Sequence, residues 1–200
     1  MHRLLIPCTL LICTLSATAA QAAEQLAAQV PEQWFMGVNK TVGELHIQEF
    51  FPPGTEDYWE QKIVYESLTS DTLPEPIEYS QGLADQQAER CAAFKAADVF
   101  VGFENQYPTV VSVLECGSNN LTGKPLVTML KVIKGNRSLY TVTRIWRLDP
   151  KPGGTNEDGE TEVITDPAAL VPGGEFAAWS RTLRDVILCD TSLAAHPCGK

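Results

Sequence analysis

The sequence predicts an α+β domain in which an antiparallel sheet is packed by a long middle helix and a C-terminal helix. Three observations predict it. Period-two apolar runs recur along the chain. Two stretches, 77–97 and 174–190, carry apolar residues at three- and four-residue steps. Short turn clusters, not long crossovers, separate the later strand runs, which favours antiparallel pairing with helices laid on a face.

Residues 1–22 predict a secretory signal peptide. His2 and Arg3 open it, an apolar stretch runs from Leu4 to Leu15, and Ala20-Gln21-Ala22 has the small-x-small form that signal peptidase cuts. The apolar stretch falls short of the about 20 residues that a membrane span needs. Residues 23–31 then read as a lead-in segment, mobile or a short helical turn, ending at Pro31. A single domain is expected over 32–200.

Within it, Trp34–Val38 is apolar enough for a strand, and Gly43–Phe51 alternates cleanly. Pro52-Pro53-Gly54 stops that strand. Thr55 can cap a single helical turn to Trp59, with Glu56 and Asp57 where the helix dipole favours acids. Lys62–Leu68 reads as a strand, and Thr69–Pro76 as a loop. The middle helix is expected over Ile77–Ala97, because Leu83, Ala84, Ala88, Cys91 and Ala92 share one face. Val99–Glu104 and Thr109–Cys116 form a hairpin around Asn105–Pro108. Leu126–Lys134 and Leu139–Arg147 form the next, across Gly135-Asn136-Arg137-Ser138. Residues 149–172 are rich in Pro, Gly and acids and read as a flexible loop. The last helix covers Gly174–Asp190, with Phe176, Trp179, Leu183, Val186 and Ile187 facing the sheet.

Of six cysteines, Cys8 and Cys13 fall in the signal peptide. Cys91, Cys116, Cys189 and Cys198 remain, an even number in an exported chain, which predicts two disulfides. Proximity in sequence favours Cys91–Cys116, tying helix to strand, and Cys189–Cys198, pinning the tail to the last helix. No C-x-x-C pair or zinc spacing competes with that reading. The net charge is -10, and removal of Arg3 with the signal peptide leaves it near -11. Such a chain is repelled by nucleic acid and by anionic lipid, so neither is an expected partner, and no membrane span is expected after cleavage.

No residue set qualifies as catalytic, cofactor-binding or metal-binding. His46 could converge with Glu44 and Gln48 on a metal, but a solvent-facing polar strand stripe explains the same spacing. His196 sits in the tail. Glu49, Glu60, Glu66, Glu104 and Glu115 could supply a hydrolytic carboxylate pair, although nothing in the sequence brings two together. Asn156–Glu160 lacks the acids at the first and last positions of an EF-hand. Asn120-Leu121-Thr122 and Asn136-Arg137-Ser138 are sequons.

The segment Glu49-Phe50-Phe51-Pro52-Pro53-Gly54-Thr55-Glu56-Asp57-Tyr58-Trp59 resembles a group of small exported bacterial proteins with an E-[FY]-x-P-x-G-E segment leading to a Trp. The element order is similar to the PsbP-like α/β sandwich. The resemblance implies no catalytic residues. Trp59 and Trp179 are expected as structural anchors, Trp59 holding the following turn in the core, and Trp59→Ala is expected to cost a few kcal/mol. Export, bridged cysteines and acidity together predict a non-enzymatic periplasmic or secreted domain that binds a protein or envelope component. The alternatives are a periplasmic hydrolase with a carboxylate site and a metal-handling protein using His46.

Overall fold

A computed structural model describes residues 24–55, 59–149, 171–191 and 198. The alternating runs form strands β2 (Phe35–Val42), β3 (Leu45–Phe51), β4 (Gln61–Thr69), β5 (Cys91–Glu104), β6 (Tyr107–Asn119), β7 (Leu126–Lys134) and β8 (Ser138–Arg147). They build one antiparallel sheet in the order β2-β3-β4-β8-β7-β6-β5, so β2 and β5 are its edges. Helix α1 (Pro76–Ala88) interrupts the strands, and α2 (Glu175–Asp185) follows a short 3-10 turn at Pro172–Gly174. A separate ribbon pairs β1 (Glu24–Ala27) with β9 (Ile187–Asp190). The stretch read as a lead-in thus contains a strand, whose partner lies at the far end of the chain. No described helix is long and apolar enough to cross a membrane.

The expectation of a long middle helix is corrected. Strand makes up 54% of the described residues and helix 19%, so the domain is mostly β, with two short helices. Helix α1 has 13 residues and stops at Ala88. It starts well: Pro76 occupies its first turn, and Glu78 accepts a hydrogen bond from the Glu75 backbone N–H at 3.3 Å. Beyond Arg90 the alanine-rich stretch pairs with β6, Cys91 opposite Asn119 and Ala96 opposite Leu114. Alanine's helix preference amounts to a few tenths of a kcal/mol per residue, and a full ladder of strand hydrogen bonds overrides it. The disulfide Cys91–Cys116, with a Cα–Cα distance of 5.5 Å, therefore joins neighbouring strands, not helix to strand. Cys189–Cys198 ties β9, not the last helix, to the tail. Two disulfides point to an oxidising environment.

The final helix is likewise shorter than the pattern suggests, because Val186 leaves it in an extended conformation and Ile187–Asp190 becomes β9. Residues 1–22, most of the 149–172 loop and Glu56–Tyr58 lie outside the described residues.

Strand alternation sends two apolar sets to opposite faces. Leu114, Leu130, Val132 and Leu139 pack under α1 with Tyr79 and Leu83. Val113, Val127, Met129, Ile133, Val142 and Trp146 pack on the other face with Trp179, Leu183 and the β1–β9 ribbon. The sheet is thus the middle of three layers.

At Ala93 the backbone adopts φ 57°, a left-handed conformation that costs an L-residue roughly 1–2 kcal/mol. Gly117 faces it, and a Cβ there would lie 3.2 Å from the Ala92 carbonyl oxygen. Ala93→Gly is expected to raise stability by about 0.5–1 kcal/mol, seen as a melting temperature higher by about 2 °C. A lower melting temperature would show that the conformation carries no strain.

Candidate docking surface

The edge strand β5 is the feature that the sequence did not reveal. It is 14 residues long, and along it Val99 is 61% exposed, Val101 60% and Phe103 72%. An edge strand displays unpaired backbone N–H and C=O groups, and chains usually blunt it with charges, proline or shortness. The opposite edge is more broken up: β2 has eight residues, and Asn39, Lys40 and Thr41 separate its exposed Met36 and Val42. Within β5, only Lys95, Asp98 and Glu104 are charged, and Val99–Phe103 is uninterrupted by charge.

Beside β5 runs a groove of about 690 Å³ between the sheet and α2. Val99, Phe100, Val111, Met129, Phe176 and Leu183 line it, with Arg181 and Arg184 among its other walls. Two buried cations fix the helix that makes this wall. At its C-terminal end Lys131, 0% exposed, donates hydrogen bonds from Nζ to the carbonyls of Leu183 (2.7 Å) and Val186 (2.6 Å). These are carbonyls that a helix end leaves without internal partners, and the dipole there favours a cation. Lys131 also pairs with Glu104, the last residue of β5, so a single ammonium ties the helix end to the edge strand. At the N-terminal end Arg144 donates to Glu175 Oε2 at 2.8 Å and also to Gln61 Oε1. Trp146 Nε1 donates to the same Glu175 oxygen at 3.1 Å. The guanidinium carbon lies 5.2, 4.9 and 5.5 Å from the ring centroids of Trp34, Trp146 and Trp179. Burial lowers the Arg144 pKa, and Glu175 acts against that shift.

The other candidate residues are spread over the molecule. The His46 ring lies 3.1 Å from Thr41 Oγ1 and borders a second cavity of about 330 Å³ with Gln48, Phe50, Tyr65 and Tyr140. Glu44 is exposed, and among the described residues no three His, Cys, Asp or Glu side chains gather around a common point. Glu49 pairs with Lys62 at 2.9 Å, Glu60 is exposed, and Glu104 serves Lys131. Glu115 sits on β6 opposite Lys95. Asn120 and Asn136 are exposed; His196 and 156–160 lie outside the described residues. Trp179 is 2% exposed and central to the larger core cluster. Trp59 is half-buried and belongs to neither cluster; its ring faces Arg147 at 3.8 Å and Lys62 at 5.0 Å.

Glu66 has a perturbed carboxyl. Burial raises its pKa above 4.5, Glu49 raises it further, and Lys62 partly offsets this. The folded protein thus holds this proton more tightly than the unfolded chain does. The contribution favours folding at low pH and is lost as pH rises from 4.5 through the raised value. Glu66→Gln is expected to raise the melting temperature at about pH 7.5 and leave it nearly unchanged at about pH 4. Equal shifts at both pH values would contradict the burial argument.

No protein-family model matches the chain, and no curated protein matches it.

Proposed function

We propose that this chain is an exported, disulfide-stabilised, non-enzymatic domain that binds an extended protein segment along β5. The exposed apolar edge carries this reading. A strand added to it would complete the backbone hydrogen bonds of β5 and could set a side chain into the adjoining groove. The pattern of residues 1–22 supports export, as do the disulfides. The resemblance to the PsbP-like sandwich is a proposal of the same kind, supported by one antiparallel sheet with a helix on each face.

Val101→Lys and Phe103→Asp test the reading, because both side chains point largely into solvent. Surface changes of this type usually shift stability by within about 0.5 kcal/mol. Each variant is expected to unfold in one cooperative transition like the parent and to lose at least tenfold in affinity for a partner that the parent binds. Undiminished binding by both variants would place the interface elsewhere.

A further inference from the structure

We infer that the segment taken up along β5 is β5 of a second copy of this chain, paired antiparallel about a two-fold axis between Val99 and Phe100. The inference rests on the reading of β5 as a binding edge.

Self-complementarity of the strand carries it. Ala96, Asp98, Val101 and Phe103 lie opposite Leu114, Ser112, Val110 and Pro108 and share the α1 face. Lys95, Ala97, Phe100, Gly102 and Glu104 lie opposite Glu115, Val113, Val111, Thr109 and Tyr107 and share the α2 face. A register shift between Asp98 and Phe100 switches the parity midway. With the axis between Val99 and Phe100, like faces meet on both sides of the irregularity. Lys95 then falls opposite the copy's Glu104, an opposite-charge pair. The small Ala96 falls opposite the large Phe103, and Ala97 opposite Gly102. Asp98 meets Val101, but its carboxylate already accepts a hydrogen bond from Ser112 Oγ at 2.6 Å. Val99 and Phe100 line the groove, so at the axis the two grooves join into one apolar seam. The interface is isologous and closes at two copies, leaving the β2 edges outermost.

Sedimentation equilibrium on the purified protein, with cysteine pairing across the proposed register, tests it. The parent is expected to be a dimer at micromolar concentration, and Phe103→Asp a monomer that still unfolds in one cooperative transition, without the stability that association adds to the parent. Mixing Ala96→Cys protein with Phe103→Cys protein under mild oxidation is expected to give a covalent dimer. Ala96→Cys mixed with Val42→Cys, on the other edge, is expected to give none. A parent that stays monomeric and forms no 96–103 adduct overturns the second copy as occupant. If that monomer still binds another protein in a Phe103-dependent way, the binding-edge reading stands by itself; if it does not, that reading falls too.

Discussion

Lys131→Ala is expected to destabilise the fold by about 3–5 kcal/mol, the range for removing one partner of a buried charged pair. The substitution leaves the carbonyls of Leu183 and Val186 without their Nζ donor and Glu104 without its cation. Glu104 keeps a quarter of its side-chain surface in solvent, so water recovers part of its loss. The two carbonyls carry the larger share, since an unsatisfied buried acceptor costs about 1–3 kcal/mol. Lys131→Met with Glu104→Gln, which removes both charges and keeps the apolar stem but still leaves the two carbonyls without a donor, is expected to recover less than half of the loss. Urea unfolding of the three proteins measures this. A cost below about 1 kcal/mol for Lys131→Ala would mean that α2 does not depend on the clamp. Where the clamp matters, the groove beside β5 loosens as well, because the same ammonium joins α2 to the edge strand.

Trp179→Ala is expected to cost about 3–5 kcal/mol, as truncations of large core aromatics do. Its ring is buried against the sheet beside Leu183 and forms one wall around Arg144. Losing it opens a cavity and removes a cation–π neighbour from a buried guanidinium. Trp59→Ala should cost only about 1 kcal/mol, the scale of a partly solvated cation–π contact, because its ring stacks on Arg147 outside both core clusters. Parallel denaturation of the two variants decides the ranking. Equal losses would show that Trp59 is as much a packing residue as Trp179.

The strands were legible wherever a run alternates between two different environments. Leu126–Lys134 matches β7 in both bounds, and the Tyr140–Trp146 alternation does put Tyr140, Val142, Arg144 and Trp146 on the α2 face. Turn chemistry at Gly135–Ser138 located the hairpin between them. Ala92–Ala97 misled because alanine's local preference for helix is weak against pairing with β6, which lies beyond a turn. The pairing of β1 with β9 joins the two ends of the described chain, and no local pattern marks it. Lys131 was invisible for a related reason. On a strand, a lysine between apolar neighbours reads as solvent-facing until the end of α2 is known to lie above it. The candidate surface was hidden likewise: Val99–Phe103 reads as an ordinary apolar strand, and only the strand order shows that nothing among the described residues pairs with its outer side. Edge position is a property of topology, which one-dimensional periodicity does not contain.

If β5 is the binding edge, it is engaged in the protein's own compartment. A photo-crosslinking amino acid placed at Phe103 on β5, or at Val42 on the opposite edge, and illuminated in intact cells, reads this. Discrete crosslinked species are expected from position 103, lost when Val101 is also changed to Lys, and none from position 42. Crosslinks of equal yield from both edges, or none from position 103, would contradict that engagement.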